Sequence, residues 1–171
     1  MKTIILAGGQ GSRISEETYK KPKPMVTIGN KPIIWHIMKI YSYYGFKEFI
    51  ICLGYKGKVI EEHFLKKPRD WSIKLVHTGK HTLTGGRLKR IKKYVRNEKS
   101  FFMTYGDGLA NINLKRLLNF HNSHKKFATM TVVNPPSRFG SVKMKKGKVV
   151  SFQEKPVESP SINGGFFVLS P

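Results

Sequence analysis

The chain has 171 residues, 39% of them hydrophobic and 12% aromatic, which excludes a disordered polar tail and fits one domain of about the usual 100–200 residues. Its 32 lysines and arginines stand against 10 acidic residues, a formal charge of +22, so its partners are expected to be anions. No stretch reaches the roughly 18 consecutive apolar residues of a membrane span, Met1 to Arg13 is too short for a signal peptide, and Cys52 stands alone, so a cytoplasmic chain with no membrane partner is expected.

Thr3 to Leu6 is a short apolar run broken by Ala7-Gly8-Gly9, which predicts a buried strand feeding a glycine turn. Ile33, Ile34, Ile37, Met38, Tyr41 and Tyr44 recur at helical spacing behind Pro32, and Gly45 stops that helix. Phe49 to Leu53 predicts a second buried strand. Val59, Ile60, His63 and Phe64 share one face of a helix that Pro68 ends. Ile73 to Val76 is the third strand, and Leu88, Ile91 and Val95 mark a basic helix. Phe101 to Thr104 is a strand running into Tyr105-Gly106-Asp107-Gly108, and Leu114, Leu117, Leu118 and His121 give a further helix.

After Ala128 the pattern turns to strands: Met130 to Val133, Gly140 to Met144, Val149 to Phe152 and Phe166 to Leu169, with a hairpin turn at Lys145 to Lys148. The alternation of strand and helix predicts an α/β fold, Rossmann-like, with a mostly parallel mixed sheet and helices on both faces. A single domain over residues 1–171 is expected. Because Pro171 follows a strand directly, the chain reads as the front part of a longer protein.

In such folds ligands sit at the carboxyl ends of the strands. The richest of these ends is Leu6-Ala7-Gly8-Gly9-Gln10-Gly11-Ser12-Arg13, where glycines let backbone N–H groups approach a phosphate and Arg13 adds a guanidinium fork. An ordinary strand-to-helix turn is the alternative, and neither the dinucleotide fingerprint nor the P-loop pattern fits. Lys23 lies between Pro22 and Pro24, which hold it extended; a solvated basic loop is the competing reading. Only two aspartates exist, Asp70 and Asp107. Asp107 follows a buried strand and is suited to holding Mg²⁺ against a nucleotide phosphate, although Asp-Gly is also a favoured turn pair. The six histidines lack the spacing of a zinc site, with His36, His63 and His121 read as structural, and Cys52 is read as an inert core residue.

Taken together, several runs resemble the sugar-1-phosphate nucleotidyltransferases: LAGGxGxR at Leu6 to Arg13, KPKPM at Lys21 to Met25, Gly29 to Ile33, YGDG at Tyr105 to Gly108, RFG at Arg138 to Gly140, EKP at Glu154 to Pro156 and NGGFFV at Asn163 to Val168. TGGRLKR at Thr84 to Arg90, SFQEKP and INGGFFVL look most like the glucose-1-phosphate cytidylyltransferases within that family. The resemblance implies synthesis of CDP-glucose and pyrophosphate from CTP and glucose 1-phosphate with Mg²⁺. It assigns Leu6, Ala7, Gly8 and Gly9 to base and ribose, and Gly11, Ser12 and Arg13 to the triphosphate. Lys23 falls to the reacting phosphates, Thr82, Arg87 and Gly106 to the nucleotide, and Asp107 to the metal. Glu154, Lys155 and Asn163 go to the sugar phosphate, and Arg13 and Lys23 become the catalytic cations.

The family's second metal aspartate lies beyond the EKP region and past Pro171, and the stretch from Phe64 to Trp71 is shorter than in the cytidylyltransferases. The expectation is therefore a chain that binds Mg-nucleotide but turns over very slowly or not at all. The alternatives are another nucleotide and sugar 1-phosphate pair, or a nucleotide-binding module without catalysis. The basic runs lack the interleaved aromatics of a single-strand groove, so no nucleic-acid partner is expected. The oligomeric state, a homo-oligomer included, is left open.

Overall fold

A computed structural model describes residues 1–9, 21–65, 70–135, 140–154 and 161–171. The strands are β1 (Lys2–Ala7), β2 (Thr27–Ile28), β3 (Lys31–Pro32), β4 (Glu48–Leu53), β5 (Ser72–His77), β6 (Phe101–Tyr105), β7 (Ala128–Val133), β8 (Ser141–Lys145), β9 (Lys148–Gln153) and β10 (Ile162–Leu169). The helices are α1 (Ile33–Tyr43), α2 (Gly57–Leu65), α3 (Thr84–Val95) and α4 (Leu114–His124), and a 3₁₀ turn spans Lys23–Met25.

The residues form two units, Met1–Thr129 with Phe166–Pro171, and Met130–Gly165. In the first, β1 lies between β4 and β6 and is parallel to both, in register Ile5↔Ile51 and Ile5↔Thr104. β5 extends the sheet in parallel beside β4, and on the other side β10 runs antiparallel to β6, Val168 opposite Phe102. The mostly parallel mixed sheet expected from the strand–helix alternation is thus the observed one.

Side chains on a strand alternate between faces, and the core divides accordingly. Ile5 and Ile51 pack in one cluster with Ile37 and Tyr41 of α1, Ile60 of α2 and Leu114 of α4. Ile4, Ile50 and Cys52 pack in a second cluster with Ile91 and Val95 of α3. The central strands β1, β4 and β6 are mainly apolar because helices cover both of their faces. Gly45 follows α1 with φ +90°, the left-handed C-terminal stop expected of it. Pro68, expected to end α2, lies outside the described residues.

The second unit contains the antiparallel hairpin β8–β9, with Val142 opposite Phe152. Its turn has Lys146 at φ +49° and Gly147 at φ +77°, the two positive values that match the twist of a two-residue hairpin loop. No helix of the described residues is long and apolar enough to cross a membrane.

Candidate functional site

β1 ends at Ala7, β6 at Tyr105 and β4 at Leu53, and the loops leaving these ends converge at one edge of the first unit's sheet. There the loops after β1 and β6 line a cavity of about 260 Å³. Leu6 to Gly9 and Tyr105 to Asp107 come from the two strand ends, Lys23 and Pro24 from the 3₁₀ turn, and Thr82 to Thr84 and Arg87 from the start of α3. Leu6, Ala7, Gly8, Gly9, Lys23, Thr82, Arg87, Gly106 and Asp107, distant in sequence, are therefore neighbours on one wall or another. Gly11, Ser12, Arg13 and Lys155 lie outside the described residues.

The glycines of this edge are explained by what they approach. A Cβ on Gly106 would stand 2.8 Å from Pro24 Cγ and 3.1 Å from the Leu6 carbonyl oxygen. Gly106 N–H donates to that same carbonyl at 3.0 Å, which fixes the turn carrying Asp107. A Cβ on Gly8 would collide with the Arg87 guanidinium, and one on Gly54 would lie 2.7 Å from it. The glycines leave room for a buried cation.

Arg87 is 4% exposed. Its Nη1 donates to the Leu53 carbonyl at 3.1 Å and to Thr78 Oγ1 at 2.6 Å, and its Nη2 donates to the Gly8 carbonyl at 2.8 Å. These acceptors are neutral groups where the chain leaves β1, β4 and β5. Burial lowers the Arg87 pKa from its usual value, and the positive charge is held by carbonyl and hydroxyl dipoles. Thr82 is seated by two further glycines: a Cβ on Gly79 would lie 2.6 Å from its Oγ1, and one on Gly86 2.8 Å from its Cγ2.

Lys23 opens the 3₁₀ turn after Pro22, whose φ of −68° and ψ of 151° hold the approach extended. Its Nζ lies 2.6 Å from Asp107 Oδ2, with both side chains about one-third exposed. Asp107 is, among the described residues, the carboxylate that lines the cavity. Among the described residues no group of three or more metal-ligating side chains occurs. A carboxylate facing the cavity, such as that of Asp107, suits a Mg²⁺ ion that arrives on nucleotide phosphates, since such ions take one or two carboxylates plus phosphate oxygens and water.

Glu154 and Asn163 belong to the second unit. Asn163 Oδ1 accepts from Gly165 N–H at 2.8 Å, a side-chain turn that sets the backbone there. A Cβ on Gly164 would press on Val133 Cγ1 at 2.9 Å.

The remaining expectations are structural ones. Burial pushes the Cys52 thiol up to about 12, the nearby Arg87 charge opposing only in part, so this cysteine is an inert core residue. His36 Nε2 donates to the Ile28 carbonyl at 3.1 Å, and buried His121 sits between Thr129 and Ser170. Sequence reasoning passed over Leu83, Thr84, Pro24 and Tyr105 on the cavity wall. Their adjacency to Thr82, Lys23 and Gly106 was the available signal.

The nucleotidyl transferase family model matches residues 2–171. The chain belongs to the nucleotidyl transferase family. It is 50% identical to the glucose-1-phosphate cytidylyltransferases of Salmonella typhimurium and of Salmonella typhi, with all of this chain and 76% of each relative covered. Among solved structures, HddC from Yersinia pseudotuberculosis complexed with GMP-PN superposes with a TM-score of 0.74 at 27% identity, over 99% of this chain and 76% of that one. Family members of this kind are enzymes of nucleotide-sugar synthesis, and the chain is of the cytidylyltransferase type.

Proposed function

We propose that this chain joins CTP to glucose 1-phosphate, giving CDP-glucose and pyrophosphate. The observation that carries this is the meeting of Lys23, Asp107, Arg87 and the Gly8–Gly9 loop in one cavity at the strand ends. The identity to cytidylyltransferases across the whole chain supports the choice of base and sugar.

A sugar phosphate oxygen attacks the α-phosphorus of the nucleotide, a new P–O bond forms, and the α–β anhydride bond breaks as pyrophosphate leaves. The attacker is an anion near neutral pH, so the barrier is mainly anion repulsion and positioning rather than proton removal. Lys23, held at the cavity by its two prolines, draws the reacting phosphates together and balances their charge. Arg13 takes the triphosphate, and Lys155 with Glu154 and Asn163 takes the sugar phosphate. Thr82 and the Leu6 to Gly9 backbone meet the base and ribose, with Arg87 fixing the floor beneath them. Mg²⁺, held through Asp107, supplies charge neutralisation on the phosphate oxygens when bound. Gly106 holds Asp107 in place for it.

The test is pyrophosphate release with glucose 1-phosphate and Mg²⁺, run separately with CTP, UTP, dTTP, GTP and ATP. CTP is expected to lead, because a buried polar group left unpaired by the wrong base edge costs about 1–3 kcal/mol. Equal rates with CTP and UTP would overturn the base assignment. Nucleotide binding without pyrophosphate release would favour a binding module.

A further inference from the structure

Leu83 stands on the cavity wall but contributes little to the packing of the described fold. Its side chain is 83% exposed although it stands between Thr82 and Thr84 at the site. It is also the N-cap of α3, with φ −76°, ψ 170° and no side-chain cap hydrogen bond. That position favours Ser, Thr, Asp or Asn, whose oxygens accept from first-turn N–H groups, and leucine is among the poorest choices. The first turn of α3 carries no acidic residue either. Only the Leu83 backbone is employed, its carbonyl accepting from Arg87 N–H at 3.0 Å. The side chain neither caps the helix nor packs in the core.

A second feature of the same turn is equally unexplained by the fold. Gly86 is required by Thr82, but a Cβ on Gly85 would meet nothing within 4 Å. Glycine there weakens the helix for no internal gain. Two successive departures from good helix-start chemistry thus flank the cavity, one adding exposed apolar surface and the other removing a side chain. Both make sense if a flat group from outside the chain approaches this turn.

We infer that Leu83 is the apolar cover over the face of the bound nucleoside base, and that the weak cap of α3 is the consequence of that task. This rests on the nucleotide reading of the cavity. Every base presents an apolar face, whereas its hydrogen-bonding edge differs from one base to another. Leu83 therefore sets how tightly nucleotides are held, not which one is chosen. On binding, its methyl groups pass from water to contact with the ring, in a cavity to which Leu6, Ala7, Pro24 and Tyr105 add further apolar surface.

The experiment is titration calorimetry of Mg-CTP and Mg-UTP against the unaltered chain, Leu83→Ser, Leu83→Ala and Leu83→Met, with a thermal melt of each free protein. Leu83→Ser and Leu83→Ala are expected to weaken both nucleotides about 10- to 100-fold, as lost leucine burial implies, leaving the CTP-to-UTP ratio unchanged. The heat-capacity change of binding should become less negative in both. Leu83→Met, apolar and of similar volume, should bind within about 3-fold of the unaltered chain. In the free protein, Leu83→Ser should melt about 2–4 °C higher because serine caps α3, a gain that Leu83→Ala lacks.

Unchanged affinity in Leu83→Ser and Leu83→Ala, with the unaltered chain binding normally, would overturn the inference alone. A lower melting temperature in Leu83→Ser would also overturn it, by showing that the leucine already works in the free fold. An unaltered chain that binds no nucleotide would overturn both the inference and the nucleotide reading beneath it.

Discussion

Lys23 and Asp107 hold each other at 2.6 Å across the cavity, tying the 3₁₀ turn after Pro22 to the end of β6. The distance is that of a charge-assisted hydrogen bond, yet both side chains are partly exposed, so the pair contributes only about 0–1 kcal/mol to the fold. Each partner is better matched to a ligand than to the other: a triphosphate draws the ammonium, and a divalent cation on that triphosphate draws the carboxylate. Under the proposed function, a metal nucleotide would exchange this pre-set pair for stronger contacts. A metal ion alone must compete with the lysine for Asp107.

Lys23→Gln should therefore act in two directions. Turnover is expected to fall by about 100-fold or more, since a phosphate cation at the reacting centre is gone. Binding of Mn²⁺ in the absence of nucleotide should strengthen, because Asp107 is released. Steady-state kinetics and paramagnetic titration read the two effects, and unfolding free energy should move by no more than about 1 kcal/mol.

Arg87 joins the floor of the site to the stability of the sheet. Arg87→Ala strips donors from the buried Leu53 and Gly8 carbonyls and Thr78 hydroxyl, which should cost about 2–4 kcal/mol in urea unfolding. Lysine should rescue little, because one ammonium cannot reproduce the planar fork. Gly8→Ala collides with the guanidinium in the parent protein. It should be clearly less damaging in the Arg87→Ala background, and a double-mutant cycle that came out additive would show that the two residues do not share this space.

Gly106→Ala tests the wall that carries Asp107. The new methyl would meet Pro24 Cγ at 2.8 Å and backbone atoms of Leu6 and Ala7 at 3.1 and 3.3 Å. Backbone cannot yield as a side-chain tip can, so Lys23 and Asp107 move apart. A displacement of about 1 Å can reduce rate 100-fold, and a loss of that order is expected with a smaller change in nucleotide affinity.

Acid should loosen the fold through His121 and His63. Burial, with His124 adding repulsion, lowers the His121 pKa from 6.5, and burial, with Lys31 adding repulsion, lowers that of His63. The unfolded chain thus takes up these protons before the folded chain does. Their contribution to stability is present above pH 6.5 and is lost as the pH falls below it toward the lower folded values. In the folded chain His121 Nδ1 pairs with Thr129 Oγ1 at 2.9 Å and Nε2 with Ser170 Oγ at 3.2 Å, bonds that the neutral ring satisfies with one N–H. Urea midpoints measured from pH 7.5 down to 5 should decline, and His121→Phe should flatten part of the slope. An unchanged slope would remove His121 from the acid response.

Local chemistry alone was enough to determine the frame. Uninterrupted apolar runs at Thr3–Leu6, Phe49–Leu53 and Phe101–Thr104 become strands covered on both faces, and the 3.6-residue spacing from Ile33 to Tyr44 becomes α1. Pro22 and Pro24 marked Lys23 as held in place, and the glycines marked strand ends where backbone approaches backbone. These signals are legible because they rest on periodicity and on φ preferences, which belong to neighbouring residues.

What the tertiary structure decided is who meets whom. In the sequence Arg87 is one cation among many on a basic helix, and nothing nearby predicts that it is buried. Its acceptors come from Gly8, Leu53 and Thr78, which only strand pairing brings to one point. The same holds for the contact of Lys23 with Asp107, and for the exposed place of Leu83 on the cavity wall. Spacing along a chain reports which face a residue takes on its own element; the neighbours across that face are set by the order in which β5, β4, β1 and β6 assemble, and that order is carried by packing between residues far apart in sequence.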